Sequence, residues 1–322
     1  MRYVYTASHD LKAPITNSES ITLAPCDTLP AEPQQNDVVA RHHSAAEALV
    51  FNDLAAQISW PASWLPKFYK SFLLLLCLSL MTDYTHLIPA NDPQRLAALQ
   101  AYQLLGATPD AVFDELVRLV AQLFEVPIAL ISLVAKDTVE FTGNFGLPNV
   151  RVVARPDSVC SVAVLHNTTT MFEDLHADPC QLTNQLAAQQ LNLGFYAGHP
   201  LHTRTGYNIG SLCVIDHQPR TLSALEQQRL ATLADIVLEL FDLRLAVLER
   251  PEVAQAMWDA IHRSIGTSLT RIDTLRSLGQ WEESATTLAA QQYQRSIDDE
   301  AQLVIQALRA EVRAALRQVA AA

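Results

Sequence analysis

The chain has 322 residues, of which 49% are hydrophobic and 17% are charged, so most of it can fold around buried cores. Its formal net charge of −12 argues against a nucleic-acid-binding surface, which is normally basic. The five cysteines form an odd set without a CxxC pair, which argues against a disulfide framework or a zinc site and favours a reducing cytoplasm.

Residues 1–80 contain no glycine and show no sustained hydrophobic period, which predicts a poorly structured region. The apolar run 72–81 is the one membrane-like segment, and its ten residues are too few to cross a bilayer, which needs about 20. The sequence therefore predicts no transmembrane span. Because the character of the sequence changes at Met81, this residue is a candidate for the true start of translation.

Regular elements follow one another from residue 91 onward. Periodicity and turn residues predict two helices, two strands, a short helix, a strand and a helical segment, in that order. These lie at 92–104, 110–124, 128–134, 139–145, 161–165, 169–172 and 178–191. Two further strands, 195–201 and 209–215, flank a tight turn that contains Gly206. Ser223 and Glu226 then form a capping box that opens a long helix.

Several short motifs in this region resemble, in order, the landmarks of a bacterial GAF domain, a small-molecule-sensing relative of the PAS fold. They are Arg95-Leu-Ala-Ala-Leu99, Phe113-Asp114, Val126-Pro-Ile128, Gly146-Leu147, Ser158-Val-Cys160, Glu173-Asp174, the 195–201 block and the 210–216 block. The resemblance implies an α+β fold over residues 91–248, with an antiparallel sheet flanked by helices. It also implies a cytoplasmic signal-transduction sensor.

The same resemblance implies a ligand pocket on the concave face of the sheet. The expected lining residues are Cys160, Phe195, Tyr196, His199 and Cys213. The ligand and any cofactor stay unidentified: Ser161 stands where phytochrome-like domains carry histidine, and the Asn-Lys-Phe-Asp-Glu set of cyclic-nucleotide-binding GAF domains is absent. A thiol redox sensor that uses Cys160 and Cys213 is an alternative, provided that the two thiols lie close together and exposed.

A second resemblance lies near the N-terminus. The stretch Thr6-Ala-Ser-His-Asp-Leu-Lys-Ala-Pro14 resembles the H-box of a sensor histidine kinase, which implies His9 as the phosphoacceptor and Asp10 as its base. The motifs of an ATP-binding kinase domain are absent, so the chain is not expected to phosphorylate itself. A phosphotransfer role would need an ATP-binding domain in trans.

The C-terminal region, 252–320, is predicted to form a long helical hairpin around Gly279. A lone hairpin of this length buries little surface, so we expect a homodimer that forms a four-helix bundle. His262 and Gly266 echo the phosphoacceptor box of another kinase subfamily, with Arg263 in place of the usual acid. Expected partners are a small-molecule ligand and a histidine kinase or response regulator. Arg309, Arg313 and Arg317 recur every four residues, which predicts a solvent-exposed stripe.

Overall fold

A computed structural model describes residues 84–279 and 288–322. Seven α-helices, six strands and two short 3-10 helices are present in these ranges. In chain order they are a 3-10 helix Thr85–Leu87, α1 Asp92–Gln100, α2 Ala111–Phe124, β1 Ile128–Val134, β2 Thr138–Phe145, β3 Val152–Ala154, a 3-10 helix Arg155–Asp157, α3 Cys160–Ala163, β4 Thr170–Phe172, α4 Gln185–Gln190, β5 Phe195–His202, β6 Asn208–Asp216, α5 Ala224–Glu249, α6 Pro251–Gly279 and α7 Leu288–Ala321.

The strands form one antiparallel sheet with the order β3-β2-β1-β6-β5-β4. Strand β1 lies inside the sheet and is buried along its whole length, as its sequence, apolar at every position except Ser132, predicts. The β1–β2 register shifts between Ile131 and Ser132, opposite Gly143 and Phe141, so β2 carries a bulge at this point. The predicted fold class, an α+β sheet flanked by helices and followed by long helices, is confirmed.

Side chains alternate between the two faces of the sheet, and each face has its own core. The helix-facing face carries Phe195, Ala197, Leu212 and Val214, which pack with α2, α5 and the C-terminal helices. The other face, here called the distal face, carries Tyr196, Cys213 and Ile215, which pack with α3 and the loops around it. Neighbouring residues of β5 and β6 therefore belong to opposite cores.

Helix α5 begins as the sequence predicts. The Ser223 hydroxyl accepts a hydrogen bond from the Glu226 amide, and the Glu226 carboxylate accepts one from the Ser223 amide. This reciprocal pair satisfies two amides that the first turn of a helix leaves without intrahelical partners. Asp110 caps α2 in a similar way through the Val112 amide and also pairs with Arg244 of α5 at 3.1 Å. The two helices are thus tied together at the N-terminus of α2.

The C-terminal helices α6 and α7 pack against each other and against α2 and α5 of the same chain. Trp258 of α6 is buried and meets Phe113 of α2 edge-on, with ring centroids 5.7 Å apart. The reason for expecting a second copy was that a lone hairpin buries little. That reason does not hold, because this chain's own α2 and α5 cover the apolar face of α6 and α7. The homodimer stays a prediction.

Two arginines of the predicted stripe on α7 form ion pairs with α5; Arg313 and Arg317 are exposed, as predicted, and Arg309 is half-buried. Arg309 pairs with Asp235 at 2.9 Å, and Arg313 pairs with Glu239 at 2.8 Å. One helical turn separates the two partners on each helix, so the pairs follow one ridge of the interface. Within the described ranges, no helix has the length and apolar character needed to span a bilayer.

Candidate functional site: a buried thiol and tyrosine cluster

Three of the five residues predicted to line the pocket meet on the distal face. Cys160, Tyr196 and Cys213 are at most 3% exposed, and the Cys160 and Cys213 sulfurs are 3.6 Å apart. Ser132 and Ser211 lie beside them on β1 and β6, with their hydroxyl oxygens 2.8 Å apart. We call these five residues the thiol–hydroxyl cluster. It places polar, polarisable groups inside an otherwise apolar core.

Phe195 and His199 do not belong to this cluster, so their predicted place in the lining is corrected. Phe195 is the neighbour of Tyr196 in β5 and therefore points to the helix-facing core. His199 lies four residues after Phe195 in β5, so its side chain lies on the same face of the sheet. Its Nδ1 is 2.9 Å from the Thr169 hydroxyl, and burial lowers its pKa, while Asp235 of α5 acts in the opposite direction.

The backbone leading to Cys160 is fixed by a fully buried arginine. The Arg155 guanidinium donates to the Leu87 carbonyl at 2.7 Å and pairs with Asp92 at 3.3 Å. One residue into α3, the Ser161 hydroxyl donates to the Arg155 carbonyl at 2.6 Å. A buried charge that keeps its partners is costly to displace, so this network holds the start of α3 against the sheet.

Tyr196 occupies the centre of the cluster because Gly198, two residues along β5, has no side chain. A Cβ at Gly198 would overlap the Tyr196 hydroxyl and ring. The hydroxyl is fully buried and lies close to Ser211 and both sulfurs, but none of these groups meets it with ordinary hydrogen-bond geometry. A buried polar atom without a partner costs free energy. A ligand, or a modification of a neighbouring side chain, that supplies a hydrogen-bond partner for the Tyr196 hydroxyl would therefore be stabilised here.

The two thiols differ in their acidity. Contact with Cys213, assisted by the hydroxyls of Ser132 and Ser158, lowers the pKa of Cys160 to about 6 in spite of burial. Burial raises the pKa of Cys213 well above its ordinary value. The pair therefore combines one thiol that ionises readily with one that keeps its proton. Thiolates are the reactive form of cysteine, so Cys160 is the reactive member.

The sequence analysis missed the serines of this cluster, although a signal was present. Ser132 and Ser211 each interrupt a strand that is apolar on both faces, and both side chains are completely buried. Buried hydroxyls need partners, so two such interruptions in strands of one sheet indicate that the serines face each other. Strands β1 and β6 do pair at these two residues.

The second predicted phosphoacceptor, His262, lies on α6 outside the distal face. Its Nε2 is 3.0 Å from the Glu115 carboxylate of α2, and both side chains are more than one third exposed. Arg263 stands where the kinase resemblance implies an acid, and Glu115 supplies a carboxylate from another helix. Residues His9 and Asp10 lie outside the described ranges, so the N-terminal phosphoacceptor stays a prediction.

Comparison with known proteins identifies the sensor-like region. Residues 108–238 match the family model of the GAF domain, so the chain contains a GAF domain. The cyclic di-GMP phosphodiesterase PA2567 of Pseudomonas aeruginosa is 36% identical over 132 residues, which cover 41% of this chain and 22% of that protein. The chain thus matches about a fifth of the length of this relative.

Solved structures with a similar arrangement share little sequence with this chain. The GAF domain of PixJ from Thermosynechococcus elongatus is 16% identical, covers 44% of this chain and 88% of its own, and has a TM-score of 0.37. The GAF domain of a phosphoenolpyruvate-protein phosphotransferase from Acinetobacter is 17% identical, covers 48% and 98%, and has a TM-score of 0.36. The assignment of a GAF domain rests on the family match and the strand order.

Proposed function

We propose that this chain is a cytoplasmic signal-transduction sensor. Its GAF domain responds at the distal face to a small molecule or a partner and passes a conformational shift through α5 to α6 and α7. The observation that carries the proposal is the way in which β5 and β6 join the two cores. Tyr196 and Cys213 face the thiol–hydroxyl cluster, whereas their neighbours Phe195 and Leu212 pack with the helices.

Helix α5 is the element through which a shift of these strands reaches the C-terminal helices. It packs on β5 and β6 and also on α6 and α7. Arg229 of α5 pairs with Asp298 of α7 at 2.9 Å, in addition to the Asp235 and Glu239 pairs. Close-packed interfaces of this kind shift as units, so a movement of the strands changes how α6 and α7 are held. A ligand drives that change only if it binds one arrangement more tightly than the other.

The comparison with PA2567 supports a regulatory role. The shared segment of 132 residues is 22% of that cyclic di-GMP phosphodiesterase, a signalling enzyme by its name, which supports a module common to the two proteins.

The ligand part of the proposal is tested by native mass spectrometry and an absorption scan of the full chain purified from its native host. If a small molecule is bound, we expect a native mass greater than that of the chain alone, or an absorption band in the visible range. If the native mass equals that of the chain alone and no visible absorption band appears, the small-molecule part of the proposal is contradicted, and a protein partner is the remaining signal.

The relay is tested by hydrogen exchange of the full chain, compared between wild type and Gly198→Ala. The added methyl group displaces Tyr196 on the distal face, and we expect faster exchange in α6 and α7. The matched control is Gly106→Ala, because Gly106 has φ +66° with open space around it. Alanine there costs about 1–2 kcal/mol of backbone strain without touching the distal face. Equal changes in both variants, or none in α6 and α7, would contradict the relay.

We infer a second candidate function, phosphotransfer at His262, from its contact with Glu115. If the Nε2 proton is donated to that carboxylate, Nδ1 keeps its lone pair as a nucleophile toward a phosphoryl group. Phosphoramidate, a small phosphoryl donor, should then label His262 faster than the exposed His166, and Glu115→Gln should remove the difference. Equal labelling of the two histidines in the wild-type chain would rule this role out.

A further inference from the structure

We propose that Cys160 and Cys213 form a reversible disulfide when the chain meets a hydroperoxide, and that this bond regulates the distal face. The inference rests on the proposed function only in naming what the bond regulates. Its basis is the position of the two sulfurs, 3.6 Å apart on facing elements of one core. Both thiols are free in the structure.

The geometry asks for a small displacement. A disulfide bond is about 2.05 Å long, so the sulfurs must approach by about 1.5 Å. Cys213 sits within β6, where neighbouring strands pair on both sides, and is the fixed partner. Cys160 opens α3, a helix of four residues that packs on β1, β5 and β6. Closing the bond therefore draws α3 toward the sheet over Tyr196.

The surroundings suit a stepwise oxidation. The Cys160 thiolate attacks one oxygen of the peroxide and becomes a sulfenic acid, and the O–O bond breaks with release of hydroxide. Cys213 then gives up its proton, and its sulfur attacks the Cys160 sulfur; the S–S bond forms, the S–O bond breaks, and the departing hydroxyl takes the Cys213 proton and leaves as water. The hydroxide takes up the proton that Cys160 lost on ionising. Two electrons have passed from the sulfurs to the peroxide.

The unpartnered Tyr196 hydroxyl has a role in this sequence. It is fully buried beside both sulfurs and is free to donate a hydrogen bond. The oxygen of a sulfenic acid at Cys160 would add an acceptor beside this hydroxyl. The hydroxyl would thus be partnered in the oxidised intermediate and unpartnered in the reduced state, which favours the intermediate.

Burial sets the rate and the selectivity of the reaction. The sequence analysis required a redox pair to be close together and exposed, and the two thiols meet only the first condition: Cys160 is 3% exposed and Cys213 is 0% exposed. A hydroperoxide therefore reaches them only through local opening of the domain. Hydrogen peroxide is small enough to use brief openings, whereas bulky alkylating reagents need larger ones. The reaction is expected to be slower than that of an exposed thiol and to yield one defined bond.

The experiment uses the full chain with Cys26, Cys77 and Cys180 replaced by alanine, which leaves only Cys160 and Cys213. The folded protein is treated with hydrogen peroxide, then denatured and alkylated, and its peptides are weighed. We expect most molecules to carry a Cys160–Cys213 crosslink that dithiothreitol removes. The rate should fall as the pH is lowered, because the thiolate is the reacting form of Cys160.

A wild-type chain and a Cys213→Ala variant complete the design. In the wild type the crosslink should join Cys160 to Cys213 and leave Cys180 alkylated, although Cys180 is buried in the same core. In Cys213→Ala, a sulfenic acid should accumulate at Cys160 and be trapped by dimedone. Full alkylation of both thiols after peroxide treatment, or equal pairing of Cys160 with Cys180, would overturn the inference.

The bond and the relay fail separately. Crosslinked protein with unchanged hydrogen exchange in α6 and α7 would support the disulfide and contradict the relay. Protein that resists crosslinking but responds to Gly198→Ala would support the relay and contradict the disulfide.

Discussion

The two faces of the sheet are made from the same strands and differ in what they bury. The helix-facing core holds aliphatic and aromatic side chains that pack on four long helices, as with Phe113 between Phe241 and Trp258. The distal core contains the thiol–hydroxyl cluster, with two thiols, two serines and a tyrosine hydroxyl that has no partner of ordinary hydrogen-bond geometry in the described ranges. Apolar packing stabilises the helix-facing core, whereas the distal core keeps polar groups that packing stability alone does not explain.

This difference teaches where the domain can respond to a signal. Apolar packing is weakened by almost any change, so a site placed there would trade stability for sensitivity. A buried hydroxyl without a partner is stabilised when a hydrogen-bond partner arrives. A pair of neighbouring thiols can also change its bonding with only a small change in the volume of the core. On our proposal, the thiol–hydroxyl cluster of the distal face can change state, and the packing of the helix-facing side passes the resulting movement to α6 and α7.

The comparison predicts its largest effect on the helix-facing side. Phe113→Ala removes a fully buried ring that contacts both α5 and α6, and should lower the free energy of unfolding by about 3–5 kcal/mol. Urea unfolding measures the change. The control Leu225→Ala removes a side chain that is 52% exposed and should change stability by less than about 0.5 kcal/mol. A loss below about 1 kcal/mol for Phe113→Ala would mean that this interface is loosely packed.

A smaller effect is expected on the distal face. Gly198→Ala places a methyl group against the Tyr196 ring and hydroxyl, and should cost about 1–3 kcal/mol, as other additions to packed cores do. Repeating the change in a Tyr196→Leu background tests the cause, because the clash is then removed. The two substitutions should couple by about 1 kcal/mol in a double-mutant cycle of urea unfolding. Strictly additive effects would place the strain elsewhere.

Local signals predicted most of the fold. The alternation and length of the apolar runs gave β1 and the β5–β6 pair, and the Ser223–Glu226 box gave the start of α5, because each depends on residues close in sequence. The face of the sheet on which each β5 side chain lies was harder to predict. The block 195–201 was treated as a unit, whereas the period of two puts Phe195 and Tyr196 in different cores.

Local motifs do not encode long-range pairing. Cys160 and Cys213 are 53 residues apart, and only the resemblance to a GAF domain placed both at one predicted pocket. The spacing of Arg309 and Arg313 is the same for a solvent-exposed stripe and for a ridge paired with another helix. Their partners, Asp235 and Glu239, come into register only because α6 and α7 fold back along α5. The same return brings Glu115 to His262, a contact that no local motif encodes.

The smallest expected effect is the most direct measure of the difference between the two faces. Tyr196→Phe deletes a buried hydroxyl that lacks a partner, so urea unfolding should show a change within about 1 kcal/mol, toward greater stability. Ser132→Ala is its control on the same face, because the Ser132 hydroxyl contacts the hydroxyl and the carbonyl oxygen of Ser211 at 2.8 and 3.1 Å.

That control should lose about 0.5–1.5 kcal/mol, the usual net contribution of a hydrogen bond. If Tyr196→Phe costs more than Ser132→Ala, the tyrosine hydroxyl has a partner in solution, such as a bound water or ligand. In a Cys213→Ala background, where the sulfenic acid at Cys160 accumulates, peroxide treatment should reverse the order of the two variants, because the sulfenic acid gives the tyrosine an acceptor and leaves the pair of serines unchanged. Measuring both variants before and after peroxide treatment therefore separates a permanently occupied distal face from one that acquires its partner only when the thiols react.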